Sequence, residues 1–428
     1  MKKSLFVLFV FCSLLPPLAA RAKIYILLEE ASERKFPIAV PELTTVKGKH
    51  NSITKEITEL VRNDLDIAGL FKVLDERSFL GGDTDVETID FAKWVSIEAF
   101  ALVKGIVEEK GGKLLLEMRL YDTQTRQLLV GKQYTVGKKD YPVAVHRFMD
   151  ELLQALTGAP GPFNSEVASA CGKINGRQIF VTAIDGTRQR NVTKIKGNNI
   201  SPNWSPDGGS IAFTSFQTRF PEIFMASSGG GGLKQLTRNN ATNITPAFSP
   251  GGDTIAFASS VTGDTELYLM NRSGKIIRRI TNVVNSDLSP AWSPDGSRIA
   301  FASERAGNLH LFVTGADGGG GARLTYTGYQ NDQPDWSPNG QKIVFTARDR
   351  GAFDIFMMNS DGSLIQRLTR DEGNNESPTW SPDSRYIAFS SARAGASGIY
   401  VMLDDGNNQT LIPNTGGCVN PDWGPRLK

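Results

Sequence analysis

Three histidines in 428 residues, His50, His146 and His310, leave little material for nucleophilic catalysis, because a serine, cysteine or threonine nucleophile needs a base beside it. No Gly-x-Ser-x-Gly elbow occurs; the nearest string, Gly208-Gly-Ser210-Ile-Ala212, belongs to a repeated turn and strand. The glycine runs 229–232 and 318–321 lack the Lys-Ser/Thr ending of a phosphate-binding loop. Zinc-type Cys/His spacing is missing. Asp83-Thr-Asp85-Val-Glu87 lacks the glycine a calcium loop requires and reads as a solvated acidic turn. These gaps argue against an enzyme and against a built-in cofactor. Charge of one sign is lacking too: 47 basic minus 45 acidic residues gives +2, an excess carried by Lys2 and Lys3 alone. A near-neutral body has no long-range pull on nucleic acid or on an anionic bilayer.

The chain has no apolar run long enough to span a bilayer, which takes roughly 20 residues. It does begin with Met1-Lys2-Lys3, an apolar stretch from Leu5 to Leu15, then Pro16-Pro17 and Ala20-Arg21-Ala22, the three-part pattern of a secretory leader. Residues 1–22 are therefore expected to be a signal peptide cut after Ala20 or Ala22, leaving an exported monomer that does not insert into the membrane. Cys12 has no small residue before it, which argues against lipidation. Cleavage leaves Cys171 and Cys418, a pair that an oxidising compartment can join or that can stay as buried thiols.

What the sequence has in abundance is one phrase. Pro202-Asn-Trp204-Ser-Pro-Asp-Gly208 returns as Pro246-Ala-Phe248, Pro290-Ala-Trp292, Pro334-Asp-Trp336 and Pro378-Thr-Trp380, each proline 44 residues after the last. A period of 40 to 45 with short strand signals belongs to a four-stranded propeller blade. Ser-Pro-Asp-Gly supplies an early fixed φ and a late positive one, so it reads as a reversing turn rather than a catalytic or calcium loop. An aliphatic–aromatic pair marks the third strand six times, from Ile179-Phe180 to Ile399-Tyr400. The sixth Pro-x-Trp, Pro421-Asp-Trp423, has no blade after it, while Val167-Ala168 has no Pro-x-Trp before it. The tail should therefore complete the first blade and close a six-bladed ring. Residue pairing across the repeated turn then places Cys171 opposite about residue 419, one away from Cys418, and a Cys171–Cys418 disulfide stapling the closure is expected.

Residues 23–158 show no repeat and read as an α+β domain: extended segments near Lys23–Leu28, Phe36–Val40, Phe71–Leu74, Ala101–Glu108, Leu114–Tyr121 and Leu128–Val136, with helices from Ser52, over Asp90–Val95 and over Val143–Leu156. Residues 159–428 form the propeller.

Two polar series precede the repeat proline. Three residues before it stand Asn199, Asn243, Asp287, Asn331 and Asn375; one residue before it stand Ser201, Thr245, Ser289, Gln333, Ser377 and Asn420. The first strand of a blade lines the channel, so both series are candidates for a ring of amides and hydroxyls at one channel mouth, able to take a peptide or a partner's loop and with room for a cation. Asn and Asp also suit the turn entering that strand, and both readings stand together.

Leader, mixed domain, six repeat units and the closing Pro-Asp-Trp, together with Lys23-Ile-Tyr-Ile and Phe36-Pro-Ile-Ala-Val-Pro, resemble the TolB family of the bacterial periplasmic Tol–Pal system. The resemblance implies a non-catalytic binding protein. It implies that the channel mouth takes a Pal-type peptidoglycan-associated lipoprotein of the outer membrane. It also implies that the segment after the leader, Lys23, Ile24, Tyr25, Ile26, Leu27 and Leu28, reaches a TolA-type inner-membrane protein, in support of outer-membrane integrity and constriction at division. Glu29-Glu30-Ala-Ser-Glu33 departs from the family there. The competing functions are a gating propeller of a serine peptidase, which needs a hydrolase domain, and a propeller for a cell-wall fragment, which would put aromatic residues at the mouth.

Overall fold

The computed structural model describes residues 35–81, 88–348, 351–370 and 373–427. Asn51 opens helix α1 (Ser52–Ala68) with a reciprocal cap, its side chain accepting from the Thr54 amide while Thr54 Oγ1 accepts from the Asn51 amide. The helix stops where Gly69 takes a φ of 73°, which costs a glycine little. Its buried stripe is Ile57, Val61 and Leu65. Strands β1 (Phe36–Ala39), β2 (Thr44–Thr45), β3 (Phe71–Val73), β4 (Ala101–Lys110), β5 (Lys113–Asp122) and β6 (Gln127–Gly137) form one mixed sheet of order β3-β1-β4-β5-β6, with β2 on β4. β1 runs parallel to both its neighbours, and β4 to β6 form an antiparallel meander. The short helix α2 (Phe91–Ser96) is capped by Asp90, and α3 (Tyr141–Thr157) packs beside α1 and over β5 and β6.

Six four-stranded blades follow, the fourth and fifth joined by a parallel bridge between Leu309 and Gln330. The inner strands of blades two to six are Asn199–Trp204, Asn243–Phe248, Asp287–Trp292, Gln330–Trp336 and Asn375–Trp380. Blade one takes its inner strand from the tail: Cys418–Trp423 lies antiparallel to Glu166–Cys171, which continues to Gln178–Ala183 and Arg190–Asn191. A ring closed this way has no free inner edge at which the first and last blades can part. The Ser-Pro-Asp-Gly strings are turns held by their own side chains: Ser205 Oγ donates to Asp207 Oδ1 and accepts from the Ser210 amide, and Gly208 has a φ of 70°. Phe213, Phe257, Phe301, Phe345 and Phe389 repeat at one buried position, each with its ring 5.8 to 6.1 Å from an aromatic ring on the third strand. Such pairs add about 0.5–1.5 kcal/mol each beyond burial. Blade one lacks the pair, with Ser169 opposite Phe180.

The inner strand differs from the sequence expectation in one respect. Between Ile200 and Asn203 the register slips, so Ser201 and Pro202 together face one residue of the neighbouring strand, and the same bulge recurs in the other five blades. Proline has no N–H to donate, and a bulge is where a sheet tolerates it. The extra residue moves the register by one, so Cys171 faces Cys418 rather than 419. The two sulfurs are bonded across a sequence separation of 247 residues.

Neighbouring blades are also tied inside the channel by the residue between the repeat proline and its aromatic partner. Asp422 accepts from the Trp204 amide at 2.6 Å, Asn203 from Phe248 at 2.7 Å, Asp335 from Trp380 at 2.8 Å and Thr379 from Trp423 at 3.2 Å. Ala247 and Ala291 stand at the two remaining positions and offer no acceptor side chain. Asp335 and Asp422 keep one edge toward the channel and are ringed by protein elsewhere. Desolvation pushes Asp335 up to about 6 and Asp422 up to about 8, and for Asp422 the bonds from Trp204 and Asn203 oppose the rise while the Asp335 charge adds to it.

The two parts of the chain share a core. Val61, Phe148, Leu152 and Phe163 run on into Val167, Tyr386, Ile412 and Trp423. Propeller side chains also cap the end of α1: Tyr386 Oη donates to Ala68 O at 3.0 Å, and Asn408 Nδ2 donates to Asp66 O and Ile67 O at 3.0 and 3.1 Å.

Two measurements check this architecture. Bonding Cys171 to Cys418 removes up to about 5 kcal/mol of unfolded-chain entropy, so a Cys171→Ser/Cys418→Ser variant should unfold at clearly lower urea concentration than the oxidised protein; equal midpoints would contradict the staple. Because the Asp422 pKa is higher folded than unfolded, its contribution is fully present below about pH 4 and is lost as pH rises through about 8. Tm should fall across that window, and Asp422→Asn should flatten the fall even though its own Tm is lowered by facing Asn203 Nδ2. A slope unchanged in the variant would assign the pH dependence elsewhere.

Candidate channel-mouth site

The six bulges converge on one end of the channel. A cavity of ≈ 240 Å³ there is lined by Ser201, Thr245, Ser289, Gln333, Ser377 and Asn420, together with the repeat prolines and the residues after them. Inner strands begin at this end, beside the loops joining second and third strands. The N-terminal part, by contrast, touches residues just after the first–second turn, such as Tyr386, and in third–fourth turns, such as Asn408. Antiparallel pairing puts those turns at the opposite end, so the mouth is clear of the described residues of the α+β part.

Each of these six residues has a positive φ, from 50° at Ser201 to 55° at Ser377. Side chains seldom adopt that value, and a residue before proline is normally held extended. The surroundings enforce it. Thr245 N donates to Thr214 Oγ1 at 3.0 Å, and Ser377 N donates to Thr346 Oγ1 at 2.9 Å and to Gln333 Oε1 at 3.0 Å, so the previous blade holds the bulge. Asn420 Nδ2 donates to Ser377 Oγ at 2.9 Å around the ring. Thr245 is β-branched, the least tolerant type at positive φ, and its Oγ1 is buried with no hydrogen-bond partner. Strain of this kind, roughly 1–3 kcal/mol per residue, gathers where a ligand is gripped.

The other series is placed differently. Asn199, Asn243, Asp287, Asn331 and Asn375 are at most 3 % exposed and do not line the cavity, which corrects their assignment to the mouth. Asn199, Asn243, Asn331 and Asn375 lock one blade to the one before it, whereas Asp287 bonds within its own blade. Asn243 Nδ2 donates to Glu222 Oε2 at 2.9 Å, and the same carboxylate accepts from Thr237 Oγ1. Asn375 Nδ2 likewise reaches Asp354 at 3.2 Å, which also accepts from Thr369 and pairs with Arg367. Asn331 meets His310, itself bonded to Thr325. Asp287 instead pairs with Arg305 at 2.8 Å, and Asn199 bonds the carbonyls of Arg177 and Gly197. The spacing carried the signal: an acid or histidine at the head of the third strand, a threonine 15 residues on and an amide 21 residues on.

The sequence reading passed over the position between the two series. Ile200, Ile244, Leu288 and Val419 pack between blades there, whereas blades five and six carry Asp332 and Glu376. Burial raises both carboxyl pKa values, and the Asp332 charge raises that of Glu376 further. Lys23, Ile24, Tyr25, Ile26, Leu27 and Leu28 lie outside the described residues, as does the acidic turn 83–87.

Known proteins share this architecture. The sequence profile of the TolB beta propeller domain matches residues 153–427, and that of the TolB amino-terminal domain matches residues 24–129. The "Tol-Pal system protein TolB" of Syntrophus aciditrophicus is 35% identical over 244 residues, covering 52% of this chain and 53% of that protein. The protein of the same name from Syntrophotalea carbinolica is 35% identical over 185 residues, covering 42% and 43%. The chain thus aligns with about half the length of these curated relatives. The crystal structure of TolB from Acinetobacter baumannii superposes with a TM-score of 0.80 over 92% of this chain and 97% of that one at 24% identity, a likeness of fold. A propeller profile spanning most of the sequence, joined to the matching amino-terminal profile, places this chain in the TolB family.

Proposed function

We propose that the chain is a non-catalytic, periplasmic component of the Tol–Pal system that binds a Pal-type lipoprotein at the channel mouth. The observation that carries the reading is the ring of six polar residues held at positive φ around one cavity, with an unpartnered Thr245 hydroxyl among them. The strained residue of each bulge costs stability, as expected of a surface kept for a partner as well as for the fold. Short polar side chains on a rigid rim suit a loop or peptide edge, whose amides find acceptors and donors already in place. Family membership supports the same reading. The segment Lys23–Leu28 is assigned to a TolA-type inner-membrane protein by the family resemblance, and the whole to outer-membrane integrity and constriction at division. Binding of this kind requires no cofactor or channel cation.

Calorimetric titration of the mature protein with the soluble domain of a Pal-type lipoprotein tests the reading. Wild type should bind at one to one, and Ser289→Trp, which fills the mouth, should abolish the heat while leaving the melt cooperative. Undiminished binding by Ser289→Trp would remove the mouth as the site. Deletion of residues 23–28 should leave that titration intact and end binding to a TolA-type fragment.

Thr245→Gly separates strain from binding. Glycine accepts the φ of 50° and removes an unsatisfied hydroxyl, so the variant should be more stable by about 1 kcal/mol. Its lipoprotein affinity should drop about tenfold, equivalent to ~1.4 kcal/mol. A variant both less stable and fully competent in binding would contradict the functional account of the bulge.

A further inference from the structure

Far from the channel mouth, α1 and α3 bring two side chains against a turn of blade one. Asp64 comes from α1, His146 from α3, and Asp185 from the third–fourth turn of the blade. His146 Nε2 lies 3.1 Å from Asp185 Oδ2 and 3.7 Å from Asp64 Oδ2, and one donor atom from each residue falls within 4.8 Å of the other two. All three side chains are at most 1 % exposed.

We propose that Asp64, His146 and Asp185 are the protein ligands of one divalent transition-metal ion of the zinc class, bound between the α+β part and the propeller. Four ligands at about 2.1 Å around a tetrahedral ion stand roughly 3.4 Å from one another, and the two nitrogen–oxygen separations bracket that value. One imidazole and two carboxylates are a donor set that suits zinc, and two carboxylate charges balance the ion. The Asp185 carboxylate is held in a ligand's orientation, since its Oδ1 accepts from Thr187 N at 2.9 Å and Thr187 Oγ1 at 2.7 Å, leaving Oδ2 toward the imidazole. Such outer bonds fix a ligand's direction.

The second observation is Asp64. Neither of its carboxylate oxygens has a well-formed hydrogen bond, and only the Asn63 side chain approaches them weakly, although the residue is fully buried. A buried acid is normally satisfied by several donors, and one left bare is costly. Beyond the His146 ring at 3.7 Å, the surrounding charges do not meet the need: Asp150 bonds the Phe163 and Asn164 amides, and Arg188 pairs with Glu166. A cation seated between Asp64 Oδ2 and His146 Nε2 does. A groove of ≈ 530 Å³ whose lining includes Asn63, Tyr141, Asp185 and Thr187 reaches the Asp185 turn, the side from which an ion and a water in the fourth position would come. Because ligands come from both parts of the chain, the ion would pin α1 and α3 to blade one.

The test uses the mature full-length chain, stripped with chelator and titrated with ZnCl2 against a chromogenic competitor. One equivalent should bind, and Tm should rise with zinc. Asp64→Asn and His146→Gln should each weaken binding more than about 100-fold, while His50→Gln, whose ring lies away from the cluster, should bind as wild type. Cobalt binding to the unaltered chain needs no variant and should give the strong visible absorption of four-coordinate Co2+. Failure of the wild type to bind, or retention of full affinity by both ligand variants, would overturn the proposal and leave the cluster held by a proton. Lipoprotein binding at the opposite end is expected to persist in every case, so the two readings fail separately.

Discussion

The structure rests on the pairing of the last strand with the first. Without Cys418–Trp423, blade one would have no inner strand, and Glu166–Cys171 would present an open edge to the channel. The pairing is secured three ways. Ladder bonds run from Trp423 against Val167 to Cys418 against Cys171, Trp423 Nε1 donates to Ser165 Oγ at 2.7 Å, and the disulfide closes the far end. Asp422, on the same strand, reaches forward to the Trp204 amide, while Thr379 of blade six reaches the Trp423 amide. The tail is thus part of the circle of inter-blade bonds as well as of its own sheet.

That circle also shapes the mouth. Each inner strand bulges at a residue–proline pair, and in four of the six the next residue turns into the channel and bonds the neighbouring blade. The residue before the proline is forced to a positive φ by the same geometry. Strain and closure are therefore two sides of one backbone choice, repeated six times, and the polar side chains displayed at the rim follow from it. The circle is uneven: Ala247 and Ala291 leave one arc without acceptor side chains, while Asp335 and Asp422 load the other with partly desolvated carboxylates. A partner meeting this end meets a surface with a direction.

The repeat made the propeller legible because a 44-residue period with fixed turn chemistry admits few other folds, and the orphaned Pro421-Asp-Trp423 told where the ring closes. Boundaries of the α+β elements were legible from helix caps and alternation at Asp90, Gly69 and Gly111-Gly112. The bulge was not. Counting residues across a hairpin assumes one residue opposite one, and only the prolines hinted that the inner strand breaks that rule; the cysteine register was off by one for this reason. The same hidden bulge separated the two polar series. Ser201 and its equivalents turn into the cavity, while Asn199, Asn243, Asn331 and Asn375 point toward the preceding blade, where for Asn243 the Glu222–Thr237 pair of blade two waits. The union of the two parts through Tyr386, Asn408 and the Asp64–His146–Asp185 cluster joins residues far apart in the chain, with no local pattern to announce them.

The measurement that addresses the central claim most directly is native-state hydrogen exchange of the oxidised protein, followed peptide by peptide. If the tail strand is integral to the ring, amides of Cys418–Trp423 and of Glu166–Cys171 exchange only through global unfolding, at the same free energy as the inner strands of blades three and four. Exchange of the tail strand at a lower free energy than the other inner strands would mean that the ring holds without it.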